Sequence, residues 1–296
     1  YELNEHLANL FESAMETLDK KLSYARYQAI AYLKPEAANG LYDNAELISR
    51  SLAGIRKNGL VKRLESSFYA FQISLNNFRQ ANQNMIDMFN RDKVFIAPDL
   101  DINNLLEAGL SDEEIEEKLN AKAEENPKNS VFKAEDFAPE YIELLQQDQE
   151  ILEKMYTDWE GITDEDDSKF AKFNELLKHE LFKNDRNPEQ KLVVFSESVD
   201  TVKYLERRIN RKDVLVISAD NRSKLFKTIR ENFDANYKTK LNKYNIILTT
   251  DVLAEGVNLH RANVIVNYDT PWNSTRLMQR IGRVNRIGSS SKHIYN

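Results

Sequence analysis

Cysteine is absent from the 296 residues, which excludes disulfides, thiolate zinc sites and cysteine nucleophiles and fits a reducing compartment. No window approaches the ~18 consecutive apolar residues of a membrane span, and no signal peptide opens the chain. The expected location is the cytoplasm, with no membrane partner. An initiator methionine is missing as well; the chain starts at Tyr1 and reads as a piece of something longer. Charged residues make up 30% and the hydrophobic set 41%, which excludes disordered or fibrous material. Basic charge is in deficit, 41 Lys and Arg against 48 Asp and Glu, for a net −7. Taken whole, that balance argues against a nucleic-acid partner.

Taken in blocks, it does not. Residues 1–90 hold 10 basic and 10 acidic groups, residues 91–180 hold 10 and 26, and residues 181–296 hold 21 and 12. The last block is therefore net +9, masked by a middle block of net −16. Asymmetry of this kind speaks about partners rather than fold.

The first 90 residues read as helices. Leu7, Leu10, Phe11, Ala14, Met15, Leu18 and Leu22 recur at three- and four-residue spacing, until Pro35 and Gly40 interrupt. A second stripe runs through Leu60, Leu64, Ser67, Phe68, Phe71, Leu75 and Phe78. The acidic stretch, about 99–165, reads as an insertion, with solvated charge favoured over a docking site for a basic partner. Ser111 to Glu114 form a capping box for a short helix through Ile115 and Leu119, and Phe137 to Tyr156 is helical again. The run Asp164–Asp167 admits a metal site or solvated N-terminal charge, and adjacent carboxylates near a helix start favour the second.

From about residue 168 the pattern changes. Leu192–Phe195, Val214–Ile217, Ile246–Leu248 and Val264–Val266 are short unalternated apolar runs, as in strands buried on both faces. Helical patterns at about 198–211 and 222–235 separate the first three, so the expected class is α/β with a parallel sheet between helices. Ligands in such sheets meet the carboxyl ends of the strands. Those positions hold Ser196, Ser218, Thr250–Asp251 and Tyr268–Asp269.

Beyond the last strand, Arg276, Arg280, Arg283 and Arg286 fall at spacings of 4, 3 and 3 with no acid among them. On a helix they make one cationic ridge, and Gly282 within it costs about 1 kcal/mol relative to Ala. Guanidinium forks in a row suit polyanionic phosphate. A solvated basic helix is the plain alternative.

Four segments here resemble, in order, the motifs of the second RecA-like lobe of superfamily 2 helicases, most closely the Swi/Snf-type group and its bacterial HepA-like members. Lys191–Ser196 with Asp200–Thr201 and Tyr204–Leu205 is similar to motif IV, and Ile247–Leu259 to motif V. Asn267–Asn273 is similar to the strand end and turn that follow, and Gln279–Arg286 to motif VI. The resemblance implies a RecA-like lobe over 166–296, preceded by a mainly α-helical region over 1–165. It implies roles as well. Arg283 and Arg286 would be the catalytic arginines that reach ATP. Gln279, Glu255, Gly256 and Asn258 would line the nucleotide side. Ser196, Ser218, Thr250 and Asp251 would contact the nucleic-acid backbone. The family often carries an arginine where Phe226 stands, so Arg222 or Lys224 is the expected substitute.

The same resemblance implies ATP with Mg2+ as cofactor, double-stranded DNA as the expected track, and a first RecA-like lobe as partner. That lobe is not found in this sequence. Gly54 and Gly59 have the spacing of a phosphate loop, but Leu60 follows where lysine is needed. The chain alone is therefore expected to be inactive, and the full-length protein to be an ATP-dependent helicase or translocase. A non-enzymatic docking module derived from a helicase lobe is the alternative. Residues 60–75 resemble a stretch between the lobes in bacterial members, where Arg63 and Glu65 read as surface residues or contacts to the missing lobe, the former favoured.

Overall fold

The computed structural model describes every residue except 1, 43, 98–100, 102–117, 119–121, 123–125, 254–255, 286–288 and 290–292. The capping box at Ser111–Glu114, Glu255 and Arg286 thus lie outside the described residues. The chain divides into two compact units, one built from 6–61 and 74–161, the other from 1–5, 62–73 and 162–296. Among the described residues no helix is long and apolar enough to cross a membrane.

The first unit is mainly helical. Its helices are α1 (Glu5–Glu16), α2 (Pro35–Ala38), most of α3 (Ala45–Ser66) and of α4 (Phe68–Asn90), and α5 (Glu140–Glu160). A small antiparallel pair, β1 (Val94–Ile96) with β2 (Ser130–Phe132), completes it. Acidic as its sequence is, α5 is not solvated all round: Tyr141, Leu145, Leu152 and Trp159 are buried. An aromatic cluster of Phe89, Phe137 and Tyr141 packs at ring separations of 4.9–5.5 Å.

One carboxylate organises the turn after α1. Tyr24 adopts a left-handed conformation, φ 57°, which a bulky residue enters only under constraint. Asp148 of α5 supplies that constraint, accepting from Ser23 N at 2.8 Å, Ser23 Oγ at 2.9 Å and Ala25 N at 2.9 Å. Burial lifts the Asp148 pKa while these donors pull it down. Asp148→Ala, which leaves the donors buried without an acceptor, is expected to destabilise the protein by about 2–3 kcal/mol in urea titration.

The second unit is a three-layer α/β sandwich. Its sheet comprises β3 (Leu192–Phe195), β4 (Val214–Ile217), β5 (Ile246–Thr249) and β6 (Val264–Asn267), all parallel, in the order β4-β5-β3-β6. The unalternated apolar runs follow from coverage on both faces. Leu192, Val194, Ile246 and Leu248 pack under α6 (Ser168–His179) and α7 (Val199–Ile209). Val193, Phe195, Leu215 and Ile247 pack under α8 (Arg222–Phe233) and the end of α9 (Ser274–Val284).

The second apolar stripe of the sequence is not one helix. It breaks between Ser66 and Phe68, where Ser67 Oγ accepts from Ala70 N at 3.1 Å as an N-cap. Lys169 Nζ donates to the Glu65 and Ser66 carbonyls at 2.8 and 2.9 Å, closing the end of α3. Residues 62–73 around this break belong to the α/β unit.

At the amino end of β3, Lys191 is fully buried. Its Nζ donates to Tyr244 O at 2.6 Å and Asn245 Oδ1 at 3.1 Å, and burial lowers its pKa to about 8. Between about pH 8 and the ordinary lysine range near 10, the unfolded chain holds a proton that the folded chain has released. Stability should therefore rise with pH across that window, more steeply than in Lys191→Met by roughly 1 kcal/mol per pH unit. Urea titrations of both proteins at pH 7, 8, 9 and 10 check the difference.

Candidate functional site

The carboxyl ends of the four strands lie on one side of the sheet, and α9 closes over them. Asn273 caps that helix, its Oδ1 accepting from Thr275 N at 2.9 Å. The three described arginines of the ridge have different surroundings. Arg280 is fully buried and points inward. Its Nε donates to Asp251 Oδ1 at 2.6 Å, and its Nη1 to Asn267 Oδ1 at 2.9 Å and Asp269 O at 3.3 Å. The guanidinium also lies 5.3 Å from the Phe195 ring centroid. Arg276, half exposed, sits 3.4 Å from Asp251 Oδ2 and 3.6 Å from Glu197 Oε1. Arg283 is partly buried, with Nε 3.5 Å from Gln279 O, and its own carbonyl accepts from Leu259 N at 3.0 Å.

The ridge is thus relieved of its repulsion by acids from other segments. Spacing alone gave no sign of them. Asp251 follows β5, and its partner here is Arg280 rather than only an external ligand. Glu197 follows β3 and had no role in the sequence reading.

Asp269, after β6, ties the loops together. Its Oδ2 accepts from Ser196 Oγ at 2.6 Å and Ser66 Oγ at 2.5 Å, and its Oδ1 from Glu197 N at 2.7 Å. The phosphate contact read for Ser196 does not fit this geometry. Ser196 is buried, and its hydroxyl donates to Asp269 while accepting from Ser198 N at 3.0 Å. Of Arg63 and Glu65, both read as surface residues, Glu65 is exposed and Arg63 is half-buried. Arg63 Nη1 donates to Glu197 O at 3.3 Å, and Glu65, though exposed, accepts from Trp272 Nε1 at 3.1 Å.

The remaining expected residues lie around this core. Ser218 ends β4, at the sheet edge, with β5 between it and β3. It is half-buried, its N–H held by Asn221 Oδ1 at 2.9 Å. Thr250 is half-buried beside Asp251. Gly256 has φ +78°, a conformation that strains any side chain, and the Arg222 guanidinium lies directly against it. Arg222 therefore reaches Gly256 from the start of α8. Asn258 and Gln279 are half-buried. His260 is buried, with Nε2 3.8 Å from Asp234 Oδ1.

Among the described residues no three His, Cys, Asp or Glu side chains come together as a metal site. The Asp164–Asp167 run has other work. Asp164 Oδ2 lies 2.7 Å from Arg207 and 3.4 Å from Arg208, while Asp166 accepts from Thr163 N at 2.9 Å. Asp167 caps α6 through Phe170 N at 2.8 Å.

Residues 168–288 match the family described as the helicase conserved C-terminal domain. Similar curated proteins include the probable ATP-dependent RNA helicase ddx51 of Dictyostelium discoideum, 30% identical over 119 residues, which are 38% of this chain and 21% of that protein. Another is the uncharacterized ATP-dependent helicase YqhH of Bacillus subtilis, 47% identical over 55 residues, 18% of this chain and 10% of that protein. The matches thus span about a fifth or less of these relatives' lengths. Among solved structures, the C-terminal part of the Fun30 ATPase domain aligns with a TM-score of 0.39 at 16% identity, covering 99% of this chain and 81% of that one.

Within the matched segment, Arg280 is the residue whose removal should be felt most. Arg280→Gln is expected to lower stability by about 3 kcal/mol, because it removes the nearer cation of Asp251 and leaves a buried cavity, whereas the half-exposed Arg276→Gln should lose less than about 1 kcal/mol. Urea midpoints of the two variants make the comparison.

Proposed function

We propose that this chain is the C-terminal motor lobe of an ATP-dependent nucleic-acid helicase or translocase. The observation that carries the reading is the arginine helix anchored by Asp251 at the strand ends, inside a segment that matches the helicase C-terminal domain. Arg283, with Arg286 three residues on in the sequence, carries the phosphate-facing role. Guanidinium groups there balance charge that develops on the transferring phosphoryl group, an effect worth about 10³–10⁵ in rate where arginine fingers have been measured. Gly282 supports an approach from outside: a Cβ there meets nothing within 4 Å among the described residues, so internal packing does not demand glycine.

Mg2+ bound with ATP neutralises charge on the β- and γ-phosphate oxygens. The acids of this site do not suit it, since Asp251 and Asp269 already face Arg280, Ser66 and Ser196. Metal ligands and the phosphate cradle fall to a first RecA-like lobe. Gln279, Gly256 and Asn258 line the nucleotide side with Glu255. Thr250 and Ser218, half-buried at strand ends, take the backbone phosphates, aided by the +9 balance of residues 181–296.

Duplex DNA is the proposed track, on the Swi/Snf-like pattern of motifs V and VI; the RNA helicases among the relatives make RNA the competing one. In the full-length protein, Arg283→Ala should abolish nucleic-acid-stimulated ATP hydrolysis with an unchanged melting temperature, and duplex DNA should stimulate the unmodified protein more than RNA. Unaltered turnover in Arg283→Ala would sink the motor reading. Stronger stimulation by RNA would reverse the choice of track.

A further inference from the structure

The α3–α4 break is bonded more heavily than a helix break requires. Lys169 on the last carbonyls and the Ser67 cap suffice to end one helix and start the next. Among the described residues, four more side chains leave the break, and they reach two loops, 196–198 and 269–272, together with Thr201 of α7. Lys62 Nζ lies 3.0 Å from Glu197 Oε2 and 5.0 Å from the Trp272 ring centroid. Arg63 donates to the Glu197 carbonyl, Glu65 accepts from Trp272, and Ser66 joins Asp269 and, at 2.8 Å, Thr201 Oγ1.

Glu197 is where these bonds meet the arginine helix. One carboxylate oxygen faces Lys62 at 3.0 Å and the other faces Arg276 at 3.6 Å. Arg276 in turn lies between Glu197 and Asp251, the partner of Arg280. Two cations divide one carboxylate, so loss of Lys62 turns Glu197 wholly to Arg276. That pull draws Arg276 from Asp251 and loads the helix two turns before Arg283.

We propose that Lys62, acting through Glu197, is a positioning residue that sets the arginine helix for phosphoryl transfer. The inference rests on the motor reading above. The effect of Lys62 passes through Glu197, whose backbone is held by the bond from its N–H to Asp269 Oδ1.

The test uses the full-length protein and four variants: Lys62→Met, Lys62→Arg, Glu197→Gln and the Lys62→Met/Glu197→Gln double. Lys62→Met should lower the nucleic-acid-stimulated kcat about tenfold, with KM for ATP, duplex DNA affinity and melting temperature nearly unchanged. Lys62→Arg, which restores a cation facing Glu197, should recover most of the rate. In the Glu197→Gln background Lys62→Met should have no further effect, since the two act along one path. A wild-type kcat in Lys62→Met overturns the proposal. So does a loss that follows the melting temperature, that arginine does not restore, or that adds fully to Glu197→Gln. Arg283→Ala, run in parallel, separates the two claims. If it is inactive while Lys62→Met is normal, only the positioning role falls; if it is fully active, the motor reading falls first.

Discussion

An arginine with no exposed surface has to be compensated on the spot, and the site is arranged around that requirement. Arg280 is held by one carboxylate, one side-chain amide and one backbone carbonyl. Those acceptors come from the loop after β5, the end of β6 and the turn beyond it, so a single guanidinium fixes three chain segments relative to α9. A buried ion pair of this kind contributes little net stability against an apolar replacement, yet removing one partner is costly. Its value here is registry. Wherever Arg280 sits, Arg276 and Arg283 follow by helical geometry.

That arrangement divides labour along one helix. Arg280 and Arg276 face acids of the same unit, Asp251 and Glu197, while Arg283 lies beside Gln279 at the far end. A second arginine, Arg222, comes to the loop after β5 from another helix and rests against Gly256, whose left-handed backbone fits glycine. Around the other side, the α3–α4 break delivers Ser66 and Lys62 to the same loops. The site is therefore assembled from five stretches of chain, of which the sequence motifs mark only part.

The four strands were legible because burial on both faces leaves unalternated apolar runs, and their limits agree to within a residue: Ile246–Leu248 extends to Thr249, and Val264–Val266 to Asn267. Helices α7 and α8 were legible from periodicity for the same reason. The burial of Arg280 was not. Charge in sequence does not reveal which face of a helix turns inward, although Val284, one turn on, shares the buried side. Ser67 sat within an apolar stripe and gave the one available sign that the stripe breaks. Ser196 was misjudged because a strand-end hydroxyl looks the same whether it meets a ligand or, as here, an aspartate from the neighbouring strand. Glu197 is far in sequence from Lys62 and Ser66, and nothing in local pattern joins it to them.

The Asp251–Arg280 pair holds the strand-end loops and the arginine helix as one piece. A double-mutant cycle of Asp251→Asn and Arg280→Gln in the full-length protein, read by urea titration and by nucleic-acid-stimulated ATP hydrolysis, tests it most directly. Coupling of about 2 kcal/mol in stability, with the double variant no slower than the worse single one, is the predicted result. Additive effects in both measurements would contradict the account.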